Sequence, residues 1–397
     1  MIFKYSKRLF VETNKKLLAK FIINFGLKGL SSVHKFQKRL KKGIHFPAFL
    51  FISVTNKCNL KCQGCWVTPT NPARNLDIAT LDNIINSSKK QGVHFFGILG
   101  GEPLMYSELF ELFQKHQDCY FLLFTNGTLL TEEIADNIVE VKNVSPLISI
   151  EGDSMVSDIR RGGTEVFENT LRGIKNCTDR GIIIGTATSV CKSNIDTLAT
   201  EKFLKKLIDF GVHYHWYYIY RPVGPMPTPE LSLSKEEINT LRKFMVDIRG
   251  KLPLMIVDSY WDHEGQALCP AATGIGHHIS PEGYIEVCPP IQFAKEIITA
   301  ETDVFEAFQK SQFLQQFRQL TADTSRGCII MERPDLLEKL LHDLQANDSS
   351  GRNAAYKELH NMTSQFSHDM KEMAIPEKYW VYKFVKKNWF FGFGAYG

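Results

Sequence analysis

The sequence lacks the features that would place a protein in or beyond a membrane. No uninterrupted apolar run approaches the ~18 residues that a spanning helix requires, so we expect no such helix. Nine cysteines are an odd number, which excludes a complete disulfide framework, and no secretory signal peptide precedes them. We find no internal repeat and no low-complexity linker. These absences predict a folded cytoplasmic protein whose thiols are reduced.

Acidic residues are nearly absent from the first 45 residues, which contain twelve Lys or Arg and one acid, Glu12. Apolar side chains lie between these lysines at helical spacing, at Leu17, Leu18, Phe21, Ile22 and Phe25. We therefore predict a basic amphipathic helical arm over residues 1–45. We favour packing of its apolar face on the body of the protein. The alternative is contact with an anionic membrane surface, at the inner face of the cytoplasmic membrane, or less favourably with nucleic acid.

Three cysteines, Cys58, Cys62 and Cys65, lie within eight residues. Thiolates are preferred ligands of iron–sulfur clusters, and three of them leave one iron open to a small molecule that carries an amine and a carboxylate. The alternatives are a zinc knuckle or unrelated buried thiols. Zinc usually needs a fourth Cys or His nearby, and Trp66-Val67-Thr68 supplies none. The pattern therefore favours an iron–sulfur cluster.

Apolar strands and amphipathic helices alternate after Pro47. Six strands are predicted, at 48–54, 93–99, 120–125, 146–150, 182–190 and 212–220. The helices between and after them are predicted at 77–91, 104–117, 131–142, 165–180, 195–210 and 234–249. This alternation indicates an α/β fold with a parallel sheet, either doubly wound or an incomplete barrel. A β-hairpin is predicted further along, at 279–287.

The Cys-x3-Cys-x2-Cys loop follows one strand, and Gly100-Gly101-Glu102-Pro103 ends the next. Together they resemble the signature of the radical S-adenosylmethionine (radical SAM) superfamily. The resemblance implies a partial (β/α)6 TIM-like barrel as the core over residues 46–250, with its site at the carboxyl ends of the strands. It also implies that Cys58, Cys62 and Cys65 bind a catalytic [4Fe–4S] cluster, whose open iron binds SAM. A reductant such as flavodoxin or ferredoxin would supply the electron.

Two further motifs resemble SAM-binding elements of this family. Thr125-Asn126-Gly127 ends the third strand, and Ser149-Ile150-Glu151-Gly152 ends the fourth, with Glu where Asp is commoner. The resemblance implies the following SAM-binding residues: Gly100, Gly101, Glu102, Pro103, Thr125, Asn126, Ser149 and Glu151. One departure is Gly64, where the family often has a bulky residue against adenine. We expect Trp66 to provide that surface, or else a roomier pocket.

Cys269, Cys288 and Cys328 lie in residues 251–330, a segment that resembles the SPASM and twitch extensions of radical SAM enzymes. Since a full SPASM domain has more cysteines than three, the resemblance implies the shorter form with one auxiliary [4Fe–4S] cluster. Its fourth ligand would be His263, His277 or His278, unless one iron stays open. The alternatives are a structural zinc site or unligated thiols. We interpret Cys119, Cys177 and Cys191 as small core residues.

Other polar and aromatic residues have weaker assignments. Thr186 and Thr188 would face a ligand or, as we favour, only complete the layers of the barrel. Asp258, Asp262, His263 and Glu264 would transfer protons or, as we favour, lie in a solvated loop. Residues 331–397 are predicted to form a helical C-terminal region with an aromatic, basic tail: Trp380, Tyr382, Phe384, Trp389, Phe390 and Phe391.

The resemblance implies an enzyme that cleaves SAM reductively to form a 5′-deoxyadenosyl radical, which then acts on a substrate that the sequence leaves open. One hypothesis is a lipid or another hydrophobic molecule, reached through the basic arm. A second is a peptide or protein, as for SPASM-like maturases, although 45 residues are few for the winged-helix peptide-recognition domain that such maturases often carry. A third is an RNA nucleotide. A zinc-binding module without enzymatic activity is the least favoured hypothesis.

Overall fold

A nine-stranded sheet forms the centre of the protein, for which a computed structural model describes residues 1–370 and 373–389. Six parallel strands agree with the predicted ones: β1 Phe49–Ser53, β2 Phe95–Leu99, β3 Tyr120–Thr125, β4 Val144–Ser149, β5 Gly185–Val190 and β6 Tyr214–Ile219. β7 (Met255–Val257) pairs with β6, and β8 (Gly276–Ile279) pairs with β1, both in parallel. β9 (Ile285–Glu286) returns antiparallel to β8, which confirms the predicted hairpin. The strand order is β7-β6-β5-β4-β3-β2-β1-β8-β9. Because β7 at one end of this sheet does not pair with β9 at the other, the barrel is incomplete, as predicted.

Helices cover the outside of the sheet between its strands. They are α4 Ile78–Lys90, α5 Leu109–Lys115, α6 Glu132–Val141, α7 Ser154–Arg161, α8 Val166–Thr178, α9 Ile195–Leu198, α10 Glu201–Asp209 and α11 Lys235–Ile248. Beyond the barrel lie α12 Pro270–Thr273, α13 Val304–Lys310, α14 Gln312–Thr324, α15 Ile329–Glu332, α16 Pro334–Asp343, α17 Ala355–His360 and α18 Trp380–Asn388. A short sheet of β10 (Phe293–Ala294) and β11 (Asn347–Asp348) joins two parts of this region.

Alternate residues of each strand enter two different cores, as the period of a β-strand requires. Phe95, Leu122 and Trp216 belong to the cluster inside the barrel, whereas Phe96 and Leu123 pack with the helices. Thr186 and Thr188 face the helices too. The Oγ1 atom of Thr186 lies 2.8 Å from Nδ1 of His215, whose ring packs on Phe203 of α10. Neither threonine therefore faces the interior of the barrel.

The basic arm crosses the amino ends of the strands as α1 (Ile2–Glu12), α2 (Lys15–Lys20), a π-helix (Phe21–Leu27) and α3 (Lys28–Leu40). The Phe25 ring lies 5.0 Å from Phe95 and 6.0 Å from Tyr120, the first residues of β2 and β3. Leu17 and Leu18 are buried, and Phe21 contacts Tyr120. The predicted packing on the body of the protein is confirmed. Ile22, however, lies on the exposed side.

A buried ionic network fixes α18 to the barrel. Lys386 Nζ lies 3.0 Å from Asp258, and the Arg249 and Arg242 guanidinium groups lie 2.5 and 2.8 Å from Glu377. Burial alone would raise the pKa of Asp258, but Lys386, Arg249 and Arg242 hold it well below its usual range. Asp258 is therefore not a solvated residue. The favoured interpretation was wrong here because these partners come from distant parts of the chain.

The three residues that the sequence analysis grouped with Asp258 lie in a surface turn: Asp262, His263 and Glu264. Asp262 accepts hydrogen bonds there from the Glu264 and Gln266 amides at 2.9 Å. Of the predicted aromatic tail, Phe390 and Phe391 lie outside the described residues. The boundaries at 45, 250 and 330 stay predictions. Among the described residues, no helix combines the length and the apolar character needed to cross a membrane.

Candidate functional site

The loop that holds Cys58, Cys62 and Cys65 follows β1 at the carboxyl end of the barrel. The Gln63 amide donates to the Arg160 carbonyl at 2.9 Å, which attaches the loop to the end of α7. Gly162, which ends α7, lies so close to the Lys61 carbonyl that a Cβ there would overlap it. Burial raises the pKa of Cys58 to about 11 and that of Cys65 to about 12.

The Gly100-Gly101-Glu102-Pro103 segment is hydrogen-bonded directly to the cysteine loop. The Gly101 amide donates to the Thr55 carbonyl at 2.8 Å, and the Glu102 amide donates to the Lys57 carbonyl at 2.7 Å. A Cβ on Gly100 would lie 2.6 Å from the Thr55 carbonyl oxygen, and one on Gly101 would overlap the Lys57 carbonyl. Glycine is therefore needed at both positions for the two loops to meet, in addition to any ligand contact.

Glu102 joins the second and third motifs. Its buried carboxylate accepts hydrogen bonds from Thr125 Oγ1 and the Asn126 amide, both at 2.8 Å, and from the Leu104 amide at 3.1 Å. The Asn126 side chain donates to Asn59 Oδ1 at 2.8 Å, which continues the connection into the cysteine loop. Burial raises the pKa of Glu102 to about 7 in spite of these bonds. Pro103 begins a 3₁₀ turn behind the glutamate.

Glu151 makes two contacts that its sequence motif does not reveal. One carboxylate oxygen accepts from the Ser189 amide at 2.9 Å, and the other forms an ion pair with Arg161. Arg161 Nη1 lies 3.8 Å from Cys62 Sγ. Burial lowers the pKa of Arg161, but Glu151 and Cys62 outweigh that effect and raise it. Sequence reasoning missed Arg161, although it lies ten residues after Glu151, in the next helix. Ser149 ends β4 and is half-buried.

Tyr220, rather than Trp66, covers Gly64. Gly64 has a φ of +65°, and a Cβ there would lie 2.7 Å from Cζ of the Tyr220 ring. The guanidinium carbon of Arg160 lies over the Tyr220 ring, 5.1 Å from its centroid. Trp66 packs against the core, and its carbonyl accepts from Arg352 at 3.1 Å. The role of Trp66 against adenine stays a prediction, and Tyr220, which comes from the end of β6, is a second candidate that the sequence did not reveal.

A polar pocket lies beside these loops, lined among others by Trp66, Gly100 and a chain of hydrogen-bonded side chains. Ser53 Oγ lies 2.8 Å from His278 Nε2, and His278 Nδ1 lies 2.6 Å from Glu286. Glu286 in turn accepts from Ser349. The pocket is formed by β1 and the β8–β9 hairpin, so it exists only because the cysteine-bearing segment closes onto the barrel. Its lining suits the polar groups of a ligand.

Cys269, Cys288 and Cys328 converge in the segment beyond the barrel. Cys269 and Cys328 lie at the starts of α12 and α15, and Cys288 follows β9. Burial, and then the neighbouring Cys269 and Cys328, raise the pKa of Cys288. The half-buried Arg221 donates from Nε to Cys328 Sγ at 3.0 Å and from Nη1 to the Tyr260 hydroxyl at 3.3 Å. The sequence analysis had not identified Arg221.

The thiols of neither triad lie as close together as the sulfur ligands of one zinc ion. One tetrahedral zinc ion would hold its sulfur ligands about 3.8 Å apart. Among the described residues, only His94, Asp118 and Cys119 bring three ligand atoms within 4.8 Å of one another, so neither cysteine triad is that compact. A [4Fe–4S] cluster binds each thiolate through a different iron, so its thiolate ligands lie further apart than those of one zinc ion. Lys28, Lys35 and Lys89 surround His94 and disfavour a cation in the compact group.

The predicted histidine ligands have other contacts. His277 Nδ1 lies 3.2 Å from the Val287 carbonyl, and His278 belongs to the chain between Ser53 and Glu286. His263 lies beside Glu264 at the surface. His368, which the sequence analysis passed over, lies next to this region, with Nε2 3.1 Å from the Leu268 carbonyl. Cys119, Cys177 and Cys191 are fully buried, as predicted.

Comparison with known proteins agrees with this geometry. Residues 52–212 match the family model of the radical SAM superfamily. Fe-coproporphyrin III synthase of Methanosarcina barkeri is 29% identical in an alignment of 194 residues that covers 46% of this chain and 47% of that protein. Mycofactocin maturase MftC of Mycolicibacterium smegmatis is 27% identical over 42% of this chain and 43% of its own length. The chain thus spans about half the length of the curated relatives that it matches.

The fold extends further than the sequence match. The structure of SuiB from Streptococcus suis bound to its precursor peptide SuiA has a TM-score of 0.57 at 18% identity, covering 72% of this chain and 70% of that one. The protein thus has the architecture of an incomplete parallel barrel, with three cysteines after its first strand. Residues 52–212 therefore form a radical SAM domain.

Proposed function

We propose that the protein binds SAM at the carboxyl end of the barrel and cleaves it reductively, through a cluster held by Cys58, Cys62 and Cys65. A [4Fe–4S] cluster there would supply the electron that divides SAM into methionine and a 5′-deoxyadenosyl radical. The observation that carries the proposal is Glu102, whose hydrogen bonds join the Gly100–Pro103 loop to Thr125 and Asn126, beside the cysteine loop. Three motifs that are separate in sequence thereby form one site.

The residues of this site would divide the binding of SAM among them. Gly100, Gly101 and Pro103 would present backbone to the methionine half, and Glu102 would attract its ammonium group. Ser149 and Glu151 would contact the ribose, with Arg161 fixing the orientation of the Glu151 carboxylate. The Tyr220 ring, which covers Gly64, would give the adenine an apolar surface. Thr125 and Asn126 would act by holding Glu102 in place.

The test is formation of 5′-deoxyadenosine by the anaerobically reconstituted chain with dithionite and SAM. Cys62→Ala should abolish it and remove about four iron per chain. Cys177→Ala, which alters a buried core thiol instead, should retain both. Cleavage by Cys62→Ala at the wild-type rate would refute the proposal.

We also propose that Cys269, Cys288 and Cys328 bind an auxiliary [4Fe–4S] cluster. Their spacing, which is too wide for one zinc ion, and the Arg221 contact with Cys328 support this. In the cytoplasm, a flavodoxin or a ferredoxin would reduce the first cluster. Total iron of about eight per chain supports two clusters, whereas about four with zinc in the same sample would leave only the first.

For the substrate we propose a hydrophobic molecule, since a relative of this chain is named for the synthesis of a porphyrin compound. A peptide is the second candidate, because the fold shared with the peptide-bound SuiB structure extends well beyond residues 52–212. The polar lining around His278 suits the carboxylates of a porphyrin or the backbone of a peptide. Candidate compounds can be compared by whether they increase 5′-deoxyadenosine formation and acquire or lose hydrogen.

A further inference from the structure

We propose that the outer face of the N-terminal helices docks on an anionic lipid bilayer, with the barrel mouth turned toward the aqueous phase. We call five helices together the basal layer: α1, α2, the π-helix, α3 and α18. This attachment goes beyond SAM cleavage and does not depend on it.

The inner face of the basal layer is hydrogen-bonded to the barrel. Arg8 donates to the Pro253 carbonyl at 2.8 Å, the Asn14 amide donates to Gly181 at 2.8 Å, and Lys20 donates to Gln117 at 2.7 Å. These carbonyls lie in the segments that lead into β7, β5 and β3. The layer therefore spans the amino ends of the strands with one side in contact, and its other side is exposed among the described residues.

The outer face of the layer concentrates the exposed apolar surface of the protein. Eight of the thirteen large apolar side chains that are exposed among the described residues belong to it: Phe3, Phe10, Val11, Ile22, Ile23, Leu27, Trp380 and Phe384. Phe3 is 81% exposed and Leu27 is 62% exposed. The helix α18 adjoins the others, since Trp389 lies 5.6 Å from Phe25 and the Ile2 amide donates to Tyr379 at 3.3 Å. Such a concentration is unusual for a face in contact with water alone.

The charge of this face identifies its partner. Lys4 and Lys7 share the exposed side of α1 with Phe3 and Phe10, and Lys383 and Lys387 are exposed on α18. Apolar side chains between lysines on a helix surface fit the boundary between anionic headgroups and acyl chains. Aliphatic residues such as Ile22 and Ile23 have no comparable use against the phosphates of an RNA. The complementary surface is therefore an anionic bilayer.

The direction of the mouth follows from the strands. Phe25 contacts the first residues of β2 and β3, whereas the cysteine loop follows the last residue of β1. A strand of this length spans about 16 Å, so layer and mouth lie at opposite ends of the barrel. A substrate must then arrive from the aqueous side. The hypothesis of a radical that acts on a lipid within the same bilayer does not fit this arrangement.

Vesicle flotation with the full chain tests the attachment. Vesicles of phosphatidylglycerol and phosphatidylcholine should bind the protein, and vesicles of phosphatidylcholine alone should not. Lys4→Gln, Lys7→Gln and Lys16→Gln combined should weaken binding by about a hundredfold, at about fivefold per charge. The matched control replaces three exposed lysines elsewhere, Lys202, Lys243 and Lys357, by Gln and should bind as the wild type does. Equal loss in both triple variants would refute the proposal.

A second pair of variants tests the apolar contribution. Phe3→Ser with Phe10→Ser should reduce flotation at least tenfold, whereas Met226→Ser with Ile297→Ser should not change it. Both pairs should retain SAM cleavage without vesicles, so failure of this proposal is separable from failure of the enzymatic one. Binding that depends on the lysines but not on Phe3 and Phe10, and that RNA competes for, would overturn the bilayer as partner.

Hydrogen exchange with and without anionic vesicles tests the orientation. Amides of residues 1–31 and 378–389 should become protected, and those of 57–66 and 99–104 should not change. Protection of the mouth instead of the basal layer would refute the orientation.

Discussion

The two cysteine triads differ in how the charge beside them is balanced. Each has a half-buried arginine that points an N–H group at a sulfur, Arg161 at Cys62 and Arg221 at Cys328. Arg161 is paired with the Glu151 carboxylate. Arg221 contacts the Tyr260 hydroxyl, and none of the described carboxylates forms an ion pair with it. The arginine beside the first triad is therefore neutralised by a carboxylate, whereas the arginine beside the second retains a full positive charge.

This difference indicates how the reduction potentials of the proposed clusters would be separated. A cluster with thiolate ligands becomes more negative on reduction, and a fixed positive charge nearby stabilises the reduced form. The second cluster should thus be reduced more readily than the first. Both triads are contacted from one short stretch of the chain, since Tyr220 covers Gly64 in the first triad and Arg221 contacts Cys328 in the second.

The largest expected contrast is between Cys62→Ala and Cys288→Ala. Cys62→Ala should reduce SAM cleavage to background, because the proposed catalytic cluster loses a ligand. Cys288→Ala should remove about four iron while basal cleavage stays within about threefold of wild type. Iron analysis and 5′-deoxyadenosine formation measure both effects. Equal loss of cleavage in the two variants would mean that the triads act as one site.

Because the pKa of Glu102 is raised, the stability of the folded chain should depend on pH at the first site. Its pKa of about 7 lies above the ordinary 4.5, so between these values the folded chain holds a proton that the unfolded chain has lost. Stability of the cluster-free chain should therefore fall as pH rises across that window, by on the order of 3 kcal/mol. Urea unfolding at pH 5 and pH 7 measures this. Glu102→Gln should remove this contribution, and the exposed Glu133→Gln should not.

The arginine comparison predicts a smaller, electrochemical effect. Arg221→Gln should lower the midpoint potential of the second cluster by about 60 mV, a tenfold change in a one-electron equilibrium. Glu151→Gln combined with Arg161→Gln removes a neutral pair and should shift the first cluster by less than half as much. Potentiometric titration followed by electron paramagnetic resonance measures both. A larger shift from the double variant would contradict the proposed difference in charge balance.

The sequence predicted those features that arise from local periodicity or from recognisable motifs at the ends of adjacent strands. The six strands follow from local periodicity, and the convergence of Glu102 with Thr125 follows from motifs at the ends of adjacent parallel strands. Arg221 and Tyr220 carry no local pattern, and their roles depend on where β6 ends relative to two loops. Asp258 was misinterpreted for the same reason, since its partners Arg249 and Lys386 meet it only through folding.

Tyr220 gives the smallest and most specific prediction. Tyr220→Phe loses a hydrogen bond from the Thr228 amide at 3.2 Å but retains the ring over Gly64, so the Kd for SAM should change less than about twofold. Tyr220→Ala removes the ring, and the loss of its apolar surface should weaken SAM binding about tenfold. Isothermal titration calorimetry on the reconstituted protein measures both. If Trp66→Ala weakens binding more than Tyr220→Ala does, Trp66 rather than Tyr220 supports the adenine.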